Sequence, residues 1–334
     1  MSPTISLVIL AYRHEAFIEA ALHGALNQDP PPAQIVINDD ASPDRTASII
    51  ERVLVGYSGP ADVRFIRNST NIGLARSMNN AIAQATGDII VGAAGDDISL
   101  PHRCGTIAQA FERTPDLQCV SSNAEVIDTS GTFLRPWYVK PTHQRTVLSF
   151  IKPNEGLLGA TVAFRRSLFD QFGLLDPDLQ FEDRVIPLRA AMAGKVGYID
   201  ETLVRYREHG NNIWMGQVQS ATASMRALEA HLARENSMMR AVYRNRMRDL
   251  DTGSRLFPER DREIKIVQEA TERLLRYSEL EEAMWAAQGP TARLTATLRA
   301  FAGGVRGRKA WRWIKLFYLP TLYYRGLKQR LPAT

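Results

Sequence analysis

The sequence has little cysteine and no long apolar run. Cys104 and Cys119 are its only thiols, and neither lies near a His or a second thiol at zinc-ligand spacing. A disulfide framework is therefore excluded. The N-terminal stretch MSPTISLVILAYRHE has no basic segment, and its apolar run is shorter than the roughly 20 residues that span a bilayer. We expect no signal peptide, no transmembrane anchor and a cytoplasmic location.

Acidic residues are missing from the C-terminal stretch. Residues 290–334 contain ten Arg and Lys and no Asp or Glu, so the formal charge of +5 conceals a preceding body with a net charge of −5. Between Arg306 and Leu331, six aromatic residues are interleaved with the basic ones. This pattern suits the surface of an anionic membrane. The alternatives are a basic helix that packs on the fold, and stacking on single-stranded nucleic acid, which the confinement of the positive charge to the tail disfavours.

Short apolar runs alternate with helical patterns up to about residue 210. Strands are predicted at residues 5–10, 35–38, 63–66, 89–91, 120–126, 160–164 and 196–199. Helices are predicted between the first four strands, at residues 15–26, 46–55 and 74–85. The alternation predicts an α/β fold with a mostly parallel, Rossmann-like sheet and helices on both faces.

Beyond Trp214 the pattern becomes that of long amphipathic helices. Apolar residues recur at three- and four-residue steps up to Val242, and again from Ile264 to Tyr277 after a break at Phe257-Pro258. These helices either pack on the domain or on each other, or they associate with a second copy of the chain. We predict a domain at residues 1–212, a helical extension at 213–290 and a basic aromatic tail at 291–334.

Three pairs of adjacent acidic residues follow apolar runs or open a helical pattern. Asp39-Asp40 and Asp96-Asp97 follow predicted strands, and Glu182-Asp183 is predicted in the first turn of an amphipathic helix, where negative charge is favoured. Two like charges about 4 Å apart repel by about 4 kcal/mol at an effective dielectric constant of about 20, so a pair needs water or a cation to relieve it. Each pair alone also fits a solvated turn or a helix cap. Ligands of such sheets collect beyond the carboxyl ends of the strands, where the first two pairs are expected.

The three pairs match the needs of a sugar-nucleotide site. A carboxylate at Asp39-Asp40 could accept from the N3–H of uracil or thymine. Asp96-Asp97 could hold the ribose and a divalent cation, because hard cations prefer carboxylate and phosphate oxygens. Glu182-Asp183 is placed to supply a general base.

Seven segments resemble, in order and spacing, the family 2 glycosyltransferases, which are inverting enzymes of the GT-A fold. The resemblance covers about residues 4–212. The segments are SLVILAYRHEAFIEAALHGALNQ, IVINDDASPDRT, NIGLARSMNNAIAQATGDIIV, GDDISLP, GATVAFRRSLFDQFGLLDP, FEDRVIPLRAAMAG and LVRYREHGNN.

The resemblance implies a sugar donor carried by UDP or dTDP, Mg²⁺ or Mn²⁺ as cofactor, and a glycan or polyprenyl-linked acceptor for surface polysaccharide. It implies Asp183 as the catalytic base and Asp97 and His209 as metal residues. The implied donor-binding residues are Ala11, Tyr12, Asp39, Asp40, Arg76, Asn79 and Asp96. Two positions depart from the family pattern: Ala94 stands where many relatives have an acid, and Met78 where a basic residue often precedes the Asn, so that Arg76 is the expected substitute.

The acceptor pocket is expected between Ser122 and Gly159, a stretch that includes Trp137 and His143, together with Glu182. We predict a single in-line displacement by an enzyme held peripherally at the inner face of the cell membrane. One rival is a sugar-phosphate nucleotidyltransferase, but the loop LAYRHEAF has no glycine, whereas those enzymes carry a Gly-rich loop there. A second rival is a non-catalytic scaffold that binds nucleotide or membrane.

Overall fold

The computed structural model describes residues 2–137, 145–210, 212, 225–287 and 290–302. The described residues fall into two compact units, one within Met1–Glu208 and Arg244–Thr271 and the other within His209–Tyr243 and Glu272–Thr334. Residues 244–271, which the sequence pattern assigned to the helical extension, are thus part of the first unit.

The first unit contains one mixed sheet. Its strands are β1 (Ile5–Ala11), β2 (Gln34–Asp39), β3 (Asp62–Arg67), β4 (Ile89–Ala94), β5 (Ile98–Ser99), β6 (Leu117–Ile127), β7 (Phe133–Trp137), β8 (Ala163–Arg165) and β9 (Lys195–Arg207). The strand order is β3-β2-β1-β4-β8-β6-β9-β5, and β7 pairs with β6. The helices up to residue 193 are α1 (Ile18–Leu26), α2 (Thr46–Val55), α3 (Leu74–Gln84), α4 (Arg103–Arg113), α5 (Ser167–Phe172) and α6 (Ile186–Ala193).

The N-terminal half of the sheet is parallel, as predicted. β1 pairs with both β2 and β4, and β2 pairs with β3, all in parallel. Every residue of β2 is buried, as is nearly all of β1, because helices cover both faces of a parallel sheet. Each fully buried Ile, Leu or Val there contributes about 1.5–3 kcal/mol of transfer free energy. The α/β prediction is confirmed.

The second half of the sheet is mixed. β8 runs antiparallel between β4 and β6, whereas β6 and β9 are parallel. The strand predicted at residues 160–164 is a 3-10 turn, Gly159–Thr161, followed by the short β8. The Ala160 carbonyl accepts a hydrogen bond from the buried Arg103 guanidinium at 2.9 Å. This carbonyl therefore bonds to a side chain and not to the backbone of a neighbouring strand.

In the described part of the chain, three helices follow the sheet: α7 (Met225–Leu256), α8 (Asp261–Ala286) and α9 (Pro290–Ala302). They confirm the predicted helical C-terminal region, and the break between α7 and α8 lies at the predicted Phe257-Pro258 step. No helix in the described part of the chain combines the length and apolar character needed to cross a bilayer. Most of the predicted basic aromatic tail, from residue 303 onward, lies outside the described residues.

Candidate active site

The first two acidic pairs lie on either side of β1, at the carboxyl edge of the parallel strands. Ala11 pairs with Asp39 across β1 and β2, and the backbone N–H of Asp40 donates to the Ala11 carbonyl at 2.9 Å. On the other side, the N–H of Gly95 donates to the Leu10 carbonyl at 2.9 Å. A Cβ at Gly95 would come within 2.6 Å of His14 Nδ1, so this close approach requires glycine. Asp96 and Asp97 follow directly.

The loops at this edge hold two residues in the left-handed backbone region. Arg13, after β1, has a φ of 58°, and Ala41, after β2, has a φ of 55°. Such non-glycine conformations persist only where the surroundings impose them, and they concentrate at functional sites. The Arg13 N–H donates to Ser42 Oγ at 2.9 Å, which ties the two loops together. Tyr12 is 37% exposed beside them.

Asp39 and Asp40 are both buried but have different partners. Asp40 accepts from the backbone N–H groups of Ile72 and Gly73, each at 2.8 Å, and from Asn68 Nδ2 at 2.9 Å. Its carboxylate therefore orders the loop before α3. Asp39 Oδ2 accepts from the Ser42 N–H at 3.1 Å, whereas its buried Oδ1 has no hydrogen-bond partner in the described part of the chain. Of the two carboxylates, Asp39 is therefore the one with an acceptor oxygen that no described residue uses.

Asp96 and Asp97 are buried at the end of β4. Burial, and then the charge of Asp96, raises the pKa of Asp97 well above its ordinary value, although the hydrogen bond from Arg207 and the charges of Arg103 and Arg207 oppose this. The Arg207 N–H donates to Asp97 Oδ1 at 2.8 Å, and its Nε donates to the Asp96 carbonyl at 2.9 Å. His14 Nε2 lies 3.7 Å from Asp96 Oδ2. The pair is held in place, but burial still disfavours its full ionisation.

The donor set at this edge fits a divalent cation that is shared with a ligand. Among the described residues no three His, Cys, Asp or Glu side chains converge as a closed metal site. Mg²⁺ is commonly held by one or two carboxylates together with substrate phosphates, and Asp96 and Asp97 supply such a pair. A cation between them would also relieve the repulsion that raises the Asp97 pKa.

Trp137, from the expected acceptor region, is connected to this edge through Tyr206. The two rings meet edge to face with centroids 5.9 Å apart. Burial, followed by the charges of Asp97 and Asp96, raises the pKa of the Tyr206 phenol. Tyr206 therefore lies close enough to the acidic pair to be affected by its charge, and Trp137 packs against Tyr206.

Glu182 and Asp183 lie in a 3-10 turn, Glu182–Arg184, and not in the first turn of a helix as expected. Helix α6 begins only at Ile186, with Pro187 in its first turn, where a missing N–H costs no hydrogen bond. Burial raises the pKa of Asp183 to about 6, while the Arg184 and Arg246 charges act in the opposite direction. Burial, and then the charge of Asp183, raises the pKa of Glu182 to about 8.

Gly159 meets this turn. A Cβ at Gly159 would lie 3.3 Å from Glu182 Oε1 and 3.7 Å from Asp183 Oδ2, so the predicted acceptor residues Gly159 and Glu182 adjoin the predicted base. Asp183 Oδ1 is buried and has no hydrogen-bond partner in the part of the chain that the structure describes, whereas Oδ2 is the oxygen next to Gly159. A half-buried carboxylate with an unused oxygen and a pKa near 6 has the properties of a general base.

Two predicted donor residues lie on α3. Asn79 donates through Nδ2 to the Leu175 carbonyl and accepts through Oδ1 from the Leu175 N–H, both at 3.0 Å, so its amide fastens α3 to the loop after α5. Arg76 is exposed one turn earlier and lines a cavity of about 630 Å³ together with Arg248. Met78, the departure from the family pattern, is buried.

Two predicted residues remain, His209 and His143. His209 belongs to the second unit, where its N–H donates to Asn212 Oδ1 at 2.6 Å. His143 is outside the described residues.

Sequence reasoning missed three buried arginines that support the site. Arg103 donates to the Gly92 carbonyl at 2.7 Å and to the Ala160 carbonyl at 2.9 Å, which joins β4 to the turn containing Gly159. Arg207 holds the acidic pair, and Arg246 holds the turn of Asp183, as described below. Arg207 stands inside a segment that resembles the family, but Arg246, in the middle of an amphipathic pattern, had no comparable signal.

The profile described as Glycosyl transferase family 2 matches residues 6–173, half of the chain. The chain belongs to this family. EpsE of Bacillus subtilis (strain 168), named as a putative glycosyltransferase, is 31% identical over 129 residues, which are 39% of this chain and 46% of EpsE. An uncharacterised glycosyltransferase of Nostoc is 27% identical over 67% of this chain and 70% of its own length. The poly-β-1,6-N-acetyl-D-glucosamine synthase of Staphylococcus epidermidis is 24% identical over 54% of this chain and 43% of the synthase.

Solved structures show the same fold. The first 349 residues of S. aureus TarS, crystallised with UDP-GlcNAc, superpose with a TM-score of 0.53 over 91% of this chain and 93% of that one, at 15% identity. The mannosyltransferase PcManGT of Pyrobaculum calidifontis, crystallised with GDP-Man and Mn²⁺, gives a TM-score of 0.51 over 99% of this chain and 89% of that one, at 18% identity. The expected GT-A fold is confirmed.

Proposed function

We propose that this family member transfers a sugar from a UDP or dTDP sugar to a hydroxyl group of a glycan or lipid-linked glycan, with inversion at the anomeric carbon. The observation that carries the proposal is the half-buried Asp183, which has an unused carboxylate oxygen and a raised pKa and belongs to the same unit as the acidic edge of the sheet. Because the chain belongs to a glycosyltransferase family, we assign this carboxylate to a glycosyl transfer reaction.

The donor is assigned to the carboxyl edge of β1, β2 and β4. Asp39 Oδ1, buried and without a partner among the described residues, is the acceptor for the N3–H of a pyrimidine. Ala11 and Tyr12 border the nucleotide, and Asp96 faces the ribose. Arg76 and Asn79 are also proposed to bind the sugar donor. In this structure the Asn79 amide is hydrogen-bonded to the backbone of Leu175.

Asp96 and Asp97 are proposed to hold Mg²⁺ or Mn²⁺, and His209 is proposed to approach the same ion or the diphosphate. The ion, when bound, balances the charge of the leaving nucleoside diphosphate. A mannosyltransferase of the same fold was crystallised with Mn²⁺, which supports a divalent ion here.

Asp183 is proposed to act as the base. With a pKa of about 6 it is mostly ionised at neutral pH yet basic enough to accept a proton from the acceptor hydroxyl as its oxygen attacks. A single displacement inverts the anomeric centre. Glu182, Gly159 and Trp137 are proposed to face the acceptor.

The acceptor is proposed to be a surface polysaccharide or its lipid-linked precursor. The similarity to a poly-β-1,6-N-acetyl-D-glucosamine synthase, whose name describes the formation of a glycan polymer, supports this class. We further propose that the enzyme works at the cytoplasmic face of the membrane, held by its basic C-terminal residues.

Replacement of Asp183 by Asn tests the base. The change keeps the shape of the side chain but removes its basicity, so we expect release of nucleoside diphosphate from UDP and dTDP sugars to fall by about 10²- to 10⁴-fold, the range typical of a lost general base. Nucleotide binding, followed by thermal shift, should stay within a few-fold of wild type.

Asp178→Asn is the matched control, because Asp178 is exposed in the preceding loop. It should keep full turnover. Wild-type turnover by Asp183→Asn would refute the base assignment, and unchanged nucleotide binding with no turnover by the wild-type chain would favour the scaffold alternative.

A further inference from the structure

Arg246 lies on α7, beyond the part of the chain that matches the family profile, yet it is buried in the first unit next to the turn of Asp183. Its Nε donates to the Arg184 carbonyl at 3.0 Å, and its Nη2 donates to the same carbonyl and to the Glu155 carbonyl, both at 2.8 Å. The guanidinium also lies 5.6 Å from the centre of the Phe150 ring. One side chain therefore joins two loops that are far apart in the sequence.

The two loops it joins are the ones that set the position of Asp183. The Leu157 N–H donates to the Asp183 carbonyl at 3.1 Å. A Cβ at Gly156 would come within 3.0 Å of that carbonyl, so the two backbones are in direct contact. Arg184 Nη1 donates to Asn154 Oδ1 at 3.2 Å. These contacts leave the Asp183 side chain facing Gly159.

We propose that Arg246 is a positioning residue for the reaction: it clamps the Glu155 and Arg184 carbonyls and so fixes the direction in which Asp183 faces the acceptor hydroxyl. This inference rests on the proposed function of Asp183 as base. It makes residues 244–256 of α7 a part of the active-site framework, although they lie outside the family match.

The geometry explains why arginine is used. The planar guanidinium presents several N–H donors in a fixed arrangement, so one group serves two carbonyls that point at it from different loops. The bonds to charged donors are stronger than neutral ones, and burial excludes competing water. Without the guanidinium, the two carbonyls lose donors, and the turn keeps its bonds to Leu157 and Asn154 but loses the bridge to the Glu155 carbonyl.

Amide hydrogen exchange of the full chain tests the clamp without a substrate. Arg246→Met keeps an unbranched apolar stem but removes the donors, and we expect faster exchange in peptides that cover residues 153–160 and 180–188, by about tenfold or more. Exchange in β1 and β2 should be unchanged. Arg244→Met, two residues away on the exposed side of the same helix, is the matched control and should exchange like wild type.

The second readout is catalytic. Arg246→Met should lower kcat for nucleoside diphosphate release by about tenfold or more, with the donor KM within about threefold, because misplacement of a base weakens the reaction step more than donor binding. The groups around Asp183 are Glu182, Arg184 and Arg246, while the Glu155 carboxylate is paired with Arg145 at 3.0 Å. Loss of the Arg246 charge should move the acid limb of kcat/KM to higher pH, and Arg246→Lys, which keeps the charge but lacks the planar fork of donors, should bring the limb back without restoring the clamp.

Wild-type exchange at residues 153–160 in Arg246→Met would overturn the proposal. If Arg246→Met does not fold, Arg246→Lys decides: faster exchange confined to the two loops supports the clamp, whereas equal loss of protection throughout the sheet assigns Arg246 to folding alone and overturns it. Failure of Asp183→Asn to reduce turnover would refute the proposed base but leave the exchange result standing, so the two failures are distinguishable.

Discussion

Asp183 has the residue-level property on which the proposed chemistry depends, a carboxylate whose ionisation is shifted by its surroundings. Burial raises its pKa to about 6, against the opposing charges of Arg184 and Arg246. The Glu182 pKa, raised to about 8 by burial and by Asp183, leaves Glu182 largely protonated at neutral pH. The pair can thus carry one negative charge without the full cost of two.

The pH dependence of kcat/KM follows from this shift. The base must be ionised, so activity should fall below about pH 6 with a slope of one, and not near pH 4 as for an ordinary Asp. Rates of nucleoside diphosphate release measured from pH 5 to 8 test this. An acid limb near pH 4 would contradict the assignment of Asp183.

At the level of elements, α6 and α7 are joined by a buried ion pair in the first unit. Arg189 and Asp249 have no exposed side-chain surface, and the Arg189 Nε and Nη2 atoms donate to Asp249 at 2.7 and 2.9 Å. Asn245 Nδ2 donates to the same carboxylate at 2.8 Å, and Arg189 Nη1 donates to the Gly173 carbonyl at 2.7 Å. These hydrogen bonds offset part of the desolvation cost of burying the two charges.

Removal of one partner should therefore cost much more than removal of a surface pair. We expect Arg189→Met to lower the free energy of unfolding by about 3–5 kcal/mol, because Asp249 is left charged and buried. Asp170→Asn, which breaks the exposed i,i+4 pair with Arg166 but leaves the bond from Arg166 Nε to the Gly87 carbonyl, should cost less than about 1 kcal/mol. Urea unfolding of the two variants measures both values, and equal losses would refute the role given to the buried pair.

The sequence was most informative where one periodicity dominated. The apolar runs of β1, β2 and the first half of β4 are buried, so their pattern predicted these strands, and the acidic residues that follow them lie at the carboxyl edge of the sheet as expected. The sequence was least informative where contacts between distant residues determine the local structure. The turn of Asp183 is a 3-10 turn held by the 154–157 loop and by Arg246, which is 62 residues away from Arg184. No local pattern encodes that contact, and the two-residue strand β5 exists only through its pairing with β9.

On the scale of the whole molecule, charge is distributed unevenly. All ten basic residues beyond residue 289 are free of acidic neighbours in sequence, while the rest of the chain is slightly acidic. We expect this segment to contribute about 1 kcal/mol of membrane affinity per Lys or Arg near an anionic surface.

Deletion of residues 305–334 should therefore release the protein from vesicles that contain anionic lipid. Co-sedimentation with phosphatidylserine vesicles and with neutral phosphatidylcholine vesicles measures the effect, and the wild-type binding should weaken as salt is raised. Equal binding of the full-length and shortened chains to anionic vesicles would refute the membrane role of the tail.

Thermal shift of the full chain with UDP, dTDP, GDP and CMP, each with and without Mn²⁺, tests whether the acidic edge binds a nucleoside diphosphate together with a divalent ion. A ligand at about 100 times its Kd adds about 2.7 kcal/mol, a shift of a few degrees for a protein of this size. We predict a Mn²⁺-dependent shift with UDP or dTDP that Asp97→Asn abolishes and Asp178→Asn retains. No shift with any nucleotide, or a shift that survives both the removal of Mn²⁺ and the loss of Asp97, would contradict the account.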